Sequence, residues 1–274
     1  MSNIITATDF SDIADKAVNY ACRMAAQLND SIIVIHAFII PVAFTDTPMP
    51  VMPIEDGKKI ADSRMNEYIG KLRSVFPDLN ILSQVMYGEI VDCLQEYIDE
   101  NKGSRCIVMG NSAAEGPSIW TGGTILHALR KLEYPVIAIP ENAVYKPVKK
   151  ICLACDYKEI TDKFPLEQLK DLVIETGAEL HVLNIGHNSK DITDSTVMET
   201  EQLHLYLKDL APQYHFIDSE NVDVSIESFV KSNNMDWLIV IPHKHSFFEK
   251  LFHKNHTEAL AGISHVPLVA LHSK

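Results

Sequence analysis

The chain has 274 residues, 46% of them hydrophobic and 22% charged, a folded composition long enough for two cores. Its formal charge of −13 argues against an electrostatic grip on nucleic acid or an anionic membrane surface. The opening "MSNIITATDFSD" has no basic region followed by a long apolar core, and no apolar run approaches the roughly 20 residues of a membrane span. Five cysteines without framework spacing predict free, buried thiols, and with them a cytoplasmic protein.

In chain order, "IITATD" (Ile4–Asp9) reads as a first buried strand. A helix follows over Asp12–Leu28, with Ser11 as N-cap and Ala17, Ala21, Met24 and Leu28 on one face. "IIVIHAF" (Ile32–Phe38) makes the second strand. The stretch after it, through Gly57, holds Pro41, Pro48, Pro50 and Pro53 and predicts a semi-rigid loop. "ILSQVMYG" (Ile81–Gly88) is a weaker strand, and Ile90, Leu94, Tyr97 and Ile98 mark a helix. "CIVMG" (Cys106–Gly110), a helix carrying Ile125, Leu126, Leu129 and Leu132, and "YPVIAIP" (Tyr134–Pro140) complete a strand–helix alternation. That alternation implies a doubly wound parallel sheet.

The second half repeats this order. "KKICLACDY" (Lys149–Tyr157), "AELHVLNIG" (Ala178–Gly186), "DWLIVIP" (Asp236–Pro242) and "VPLVALH" (Val266–His272) echo strands of the first half. "TDFSDIADK" lies over "CDYKEITDK", pairing Asp9 with Asp156. The expected organisation is two tandem α/β domains, 1–142 and 147–274, linked by "ENAVYKPVK" (Glu141–Lys149). Each carries a five-stranded parallel sheet flanked by helices.

The stretch "VMGNSAAEGPSIWTGGT" (Val108–Thr124) runs from the end of a strand to the start of a helix. A helix N-terminus with nearby glycines can cradle an anion, because its first N–H groups are unpaired and no Cβ blocks their approach. Neither GxxxxGK[ST] nor a GxGxxG directly after strand one is present.

The aspartate in "TATDFS", together with Gly110-x2-Ala113-x9-Gly123-Thr124, resembles the universal stress proteins. The nucleotide-binding members of that family end strand one in Asp and carry G-x2-G-x9-G-[ST] after strand four. The resemblance covers nearly the whole chain, once per half. It implies an adenine nucleotide alpha hydrolase-like fold, paired as an internal pseudo-dimer through "VIAIP" and "LVAL", with homodimer formation a further expectation. Asp9 would contact the nucleoside, and the backbone around Ala37 the adenine. Gly110, Ser112, Ala113, Gly123 and Thr124 would surround the ribose and phosphates of ATP, ADP or AMP, with Mg²⁺. Ala113 departs from the family's second glycine. In the second half, Pro242, His245, Asn255 and His256 stand at the cradle positions, so that half is expected to be structural.

Three functions remain open at this point. The first is a stress-associated regulatory protein acting through a protein partner. The second is a nucleotide-free scaffold or dimerisation protein. The third is a weak ATPase or ATP-using enzyme, although "TATDFSD" lacks an SGGxDS-like loop and no base or nucleophile is positioned. His243, His245, His253 and His256 read as a solvated or partner-facing loop before they read as a metal site. Phe247, Phe248, Leu251 and Phe252 suit an interface or a core equally. Trp120 is expected to anchor its loop, Cys152 and Cys155 to face opposite sides of a strand, and Glu89, Asp92 and Glu96 to form an exposed helix face.

Overall fold

Strands that are apolar at every position need cover on both sides, and the fold supplies it. The structure of the chain, a computed structural model, describes residues 2–40, 53–111, 122–155, 164–186, 194–242 and 266–272, with the side chains at 122 and 194–200 excepted. In the first half, β1 (Asn3–Ala7), β2 (Ser31–Phe38), β3 (Ile81–Tyr87), β4 (Ser104–Asn111) and β5 (Val136–Pro140) alternate with α1 (Asp12–Leu28), α2 (Ile54–Val75), α3 (Ile90–Glu100) and α4 (Gly122–Lys131). The second half contributes β6 (Lys150–Ala154), β7 (Glu179–Gly186), β8 (Gln213–Asp218), β9 (Trp237–Val240) and β10 (Leu268–Ala270). Its described helices are α5 (Leu166–Thr176), α6 (Asp194–Leu207) and α7 (Val222–Ser232).

One ten-stranded sheet runs through the molecule in the order β3-β2-β1-β4-β5-β10-β9-β6-β7-β8. Neighbours are parallel except β5 and β10, which pair antiparallel with Val136 opposite Ala270 and Ala138 opposite Leu268. The halves therefore meet through "VIAIP" and "LVA", and two five-stranded parallel sheets become one continuous sheet. Alternation along the strands sorts the core. Ile4, Ile32, Val34 and Val108 lie under α1 and α2, while Ile5, Ile33, Ile35 and Ile107 lie under α3 and α4. In the second half α5 and α6 share the α1/α2 face, and α7 the other.

Ser11 caps α1 as expected, its hydroxyl accepting the Ala14 N–H at 3.3 Å. The five cysteines are free, with Cys152 packed on one face of the sheet and Cys155 against the other. Glu89, Asp92 and Glu96 are exposed, and Asp92 pairs with Lys131. Helix α2 departs from the sequence reading. It begins at Ile54, inside the stretch expected to be loop, with Pro53 at its N-cap, where a missing N–H costs nothing. Its buried stripe is Ala61, Met65, Ile69 and Leu72. Among the described residues no helix is long and apolar enough to cross a membrane.

Candidate functional site

Parallel strands deliver their carboxyl ends to one edge of the sheet, and β1 and β4 are neighbours there. Asp9 follows β1 and Gly110 is next to the last residue of β4, so both stand at the same crevice. The corner that carries Asp9 is firmly held. Thr8 donates its N–H to the Ile35 carbonyl at 2.9 Å, and its own carbonyl lies 2.8 Å from His36 Nδ1. A carbonyl can only accept, so Nδ1 carries the proton. Burial and the nearby Arg64 guanidinium hold the His36 pKa below 6.5, so the ring is neutral at pH 7.

Asp9 is 9% exposed, and its Oδ1 accepts the Ser11 N–H at 3.0 Å at the mouth of α1. A carboxylate suits that position, since the helix start carries positive charge. Between them Phe10 takes φ +62, a conformation rare for an aromatic residue. Its N–H donates to Thr8 Oγ1 at 3.0 Å, and its ring is wedged between three neighbours. His36 lies 4.5 Å away, Tyr68 lies 5.5 Å away edge-on, and Arg64 Cζ stands 4.4 Å over the ring face. Tyr68 in turn donates to Asp15 of α1 at 2.5 Å. Sequence reasoning missed Phe10, Arg64 and Tyr68 as parts of this corner. The signal was the four-residue apolar spacing of α2, hidden behind the prolines.

Ala37 pairs with Met86 across β2 and β3. Peptide groups of a strand alternate sides, so those of Ile35 and Ala37 point to the β1 side. Ile35 is met there by Thr8, and Ala37 lies further along, beside the turn that bears Asp9. Gly123 and Thr124 fall in the first turn of α4, which starts at Gly122. The sequence therefore placed the helix N-terminus correctly after β4. Ser112, Ala113 and Trp120 lie outside the described residues, as do Asp156, Phe247, Phe248, Leu251, Phe252, and His243, His245, His253 and His256.

Gly110 has a steric role besides any contact with a ligand. A Cβ there would stand 2.7 Å from Ile13 Cγ2 and 2.9 Å from the Ile13 carbonyl oxygen. Glycine is what lets the first turn of α1 sit against the end of β4. In the second half the same backbone plan recurs. Cys155 donates to the Leu183 carbonyl at 3.0 Å, and Asn184 Nδ2 donates to the Cys155 carbonyl at 3.0 Å, as Thr8 and His36 do in the first. Ile4 faces Cys106 and Ile151 faces Trp237, and this register carries Gly110 onto Ile241. The residue at the Gly110 position is thus Ile241, not Pro242, because the sequence comparison aligned the strand ends one residue late. Among the described residues, no group of three or more His, Cys, Asp or Glu could hold a metal ion.

No protein-family model matches the chain, and no curated protein sequence matches it. Its fold has clear counterparts among solved structures. A universal stress protein from Archaeoglobus fulgidus DSM 4304 is similar over 98% of this chain and 98% of its own, with 16% identity and a TM-score of 0.69. A functionally unknown protein from Pseudomonas aeruginosa PAO1 is similar over 100% of this chain and 93% of its own, with 13% identity and a TM-score of 0.60. The chain therefore has the universal stress protein fold across both halves, as the resemblance in its motifs implied.

Proposed function

We propose that the chain is a tandem universal stress protein whose first half binds an adenine nucleotide, and that its two units, 1–142 and 147–274, form an internal pseudo-dimer. The carrying observation is the adjacency of β1 and β4, which brings Asp9 and Gly110 to one crevice with the α4 N-terminus following from it. In this reading Asp9 receives the ribose hydroxyls, and the Ala37 peptide meets the adenine edge. Gly123 and Thr124 offer the first N–H groups of α4 to phosphate oxygens, and Ser112 and Ala113, between β4 and α4 in the chain, complete the set. Mg²⁺ would be held by the nucleotide's own phosphates, since Asp9 is engaged with Ser11 and no carboxylate cage stands beside it among the described residues. In the second half a side chain, Ile241, stands at the Gly110 position and Pro242 beside it lacks an N–H to donate, which supports a structural role there.

Among the described residues of the corner, none is placed as a base or nucleophile. His36 Nδ1 is committed to Thr8, and the ring is covered by Phe10. In this reading the output of nucleotide binding is regulatory, a change in contacts with a protein partner. Calorimetric titration of the purified chain with ATP, ADP and AMP in the presence of Mg²⁺ tests the proposal. Saturable binding by at least one nucleotide is expected, and its absence at about 1 mM ligand, an affinity threshold near 4 kcal/mol, would reject it.

A further inference from the structure

The two sides of the seam between the halves are built alike and filled differently. Tyr20 of α1 and Gln168 of α5 each stand nine residues before the left-handed residue that ends their helix, Asn29 and Gly177. On the α1 side the seam is packed with aromatic rings. Trp237 Nε1 donates to the Tyr20 hydroxyl at 2.9 Å, and the Tyr145 ring meets that of Tyr20 edge-on at 4.9 Å. On the α5 side the position of Trp237 is taken by Cys106, and Gln168 replaces the tyrosine. There the seam holds a cavity of about 770 Å³, within the range of small-molecule sites.

The chemistry of this cavity is distinctive. Glu167, Asp171 and Glu175 line it at four-residue intervals, a stripe rising roughly 12 Å along α5 at one carboxylate per turn. Glu133 adds a fourth from the opposite half. Like charges one turn apart work against a helix, so the stripe is not explained by helix stability. One end is already occupied by a cation of the protein's own. Arg105 contacts Glu175 and donates to Asp30 at 2.5 Å, tying β4 to α5. Glu133, Glu167 and Asp171 have no ion-pair partner among the described residues. Part of the lining is aromatic, with the Phe164 and Tyr206 rings 6.5 Å apart. Ser104 also lines the cavity, and its hydroxyl oxygen is sealed from solvent with no hydrogen-bond partner among the described residues. Gln168 braces the walls, accepting the His272 N–H at 3.2 Å and donating to the Glu133 carbonyl at 3.4 Å.

We propose that this seam cavity is a binding site for a linear aliphatic polyamine. Its ammonium groups would sit on Glu167, Asp171 and Glu133, and its methylene stretches against Phe164 and Tyr206. Polyamine nitrogens are separated by three or four methylenes, a length comparable to one helical turn, which matches the stripe. Aromatic faces add attraction for cations held over them. The site is distinct from the nucleotide crevice, because Ser104 opens β4 whereas Gly110 stands next to its last residue, roughly 20 Å along the strand.

Titration of the full chain with spermidine by calorimetry tests this. One saturable site per chain is expected, weakened about fivefold or more in Glu167→Gln/Asp171→Asn and weakened also in Tyr206→Ala. The urea midpoint of each variant is measured alongside, so that loss of binding is read from folded protein. Absence of saturation, unchanged affinity in the double variant, or equal binding of Mg²⁺ in place of spermidine would overturn the proposal. None of these outcomes bears on ATP binding at Asp9.

Discussion

At the end of β1 the His36 ring holds the Thr8 carbonyl, and at the end of β6 the Asn184 amide holds that of Cys155. Both halves need a side-chain donor there because the strand leaves the sheet and its last carbonyl would otherwise be stranded. A few residues further on, the halves part. Gly110 admits α1 to within van der Waals contact of β4, and the register puts Ile241 at the equivalent place. The shared features maintain the sheet, and the differing ones decide what each crevice and each side of the seam can hold. Trp237 and Cys106 make the same point at the seam, an indole bonded to Tyr20 on one side and a small buried thiol at the equivalent place on the other.

The largest test of that contrast is Trp237→Ala. Trp237 is fully buried and supplies the hydrogen bond to Tyr20, so its removal opens the aromatic side of the seam and leaves a buried hydroxyl without its donor. A loss of about 3–5 kcal/mol in urea unfolding is expected. Gly110→Ala should cost less, about 1–3 kcal/mol, because the added methyl must displace the Ile13 backbone rather than a flexible side-chain tip. The same change should weaken nucleotide binding, by moving the start of α1 and Asp9 with it. A loss of stability without any loss of binding would show that the close approach serves packing alone.

The smallest expected effect is a pH dependence. Burial lowers the pKa of His36, of His181 and of His215 below 6.5, with Arg64 assisting at His36, Lys150 at His181, and His181 itself at His215. Asp9 beside His36 and Glu179 beside His181 oppose the shift without reversing it. The unfolded chain therefore binds more protons than the folded one in this window. Stability rises with pH through it and is lost as pH falls below about 6.5, by on the order of 1 kcal/mol. Unfolding midpoints at pH 5.5 and 7.5 measure the slope. His36→Asn, which copies Asn184, should flatten it while leaving the fold intact, and an unchanged slope would place the effect at His181 and His215.

Much of the fold was legible because each strand is a short β-branched run and each half repeats the other, so the alternation could be read twice. The β5–β10 contact was legible only through the resemblance to the universal stress proteins, which pointed to "VIAIP" and "LVAL". Helix α2 was not legible, since prolines just before Ile54 masked a stripe whose exposed faces are strongly polar. The positions of the candidate residues were legible where the pattern is local, with Asp9 just after β1 and Gly123 and Thr124 at the start of α4. They were not legible where distant residues converge. Phe10, Arg64 and Tyr68 meet only because α2 packs across the end of β1, and the steric role of Gly110 depends on Ile13 of a neighbouring helix.

The account rests on one crevice of two holding a nucleotide. Calorimetric stoichiometry with ATP and Mg²⁺, measured for the unaltered chain and for Asp9→Ala and Asp156→Ala, tests this most directly. The expected result is one site per chain, abolished by Asp9→Ala and retained in Asp156→Ala. Two sites, or a site lost with Asp156 and kept without Asp9, would contradict it.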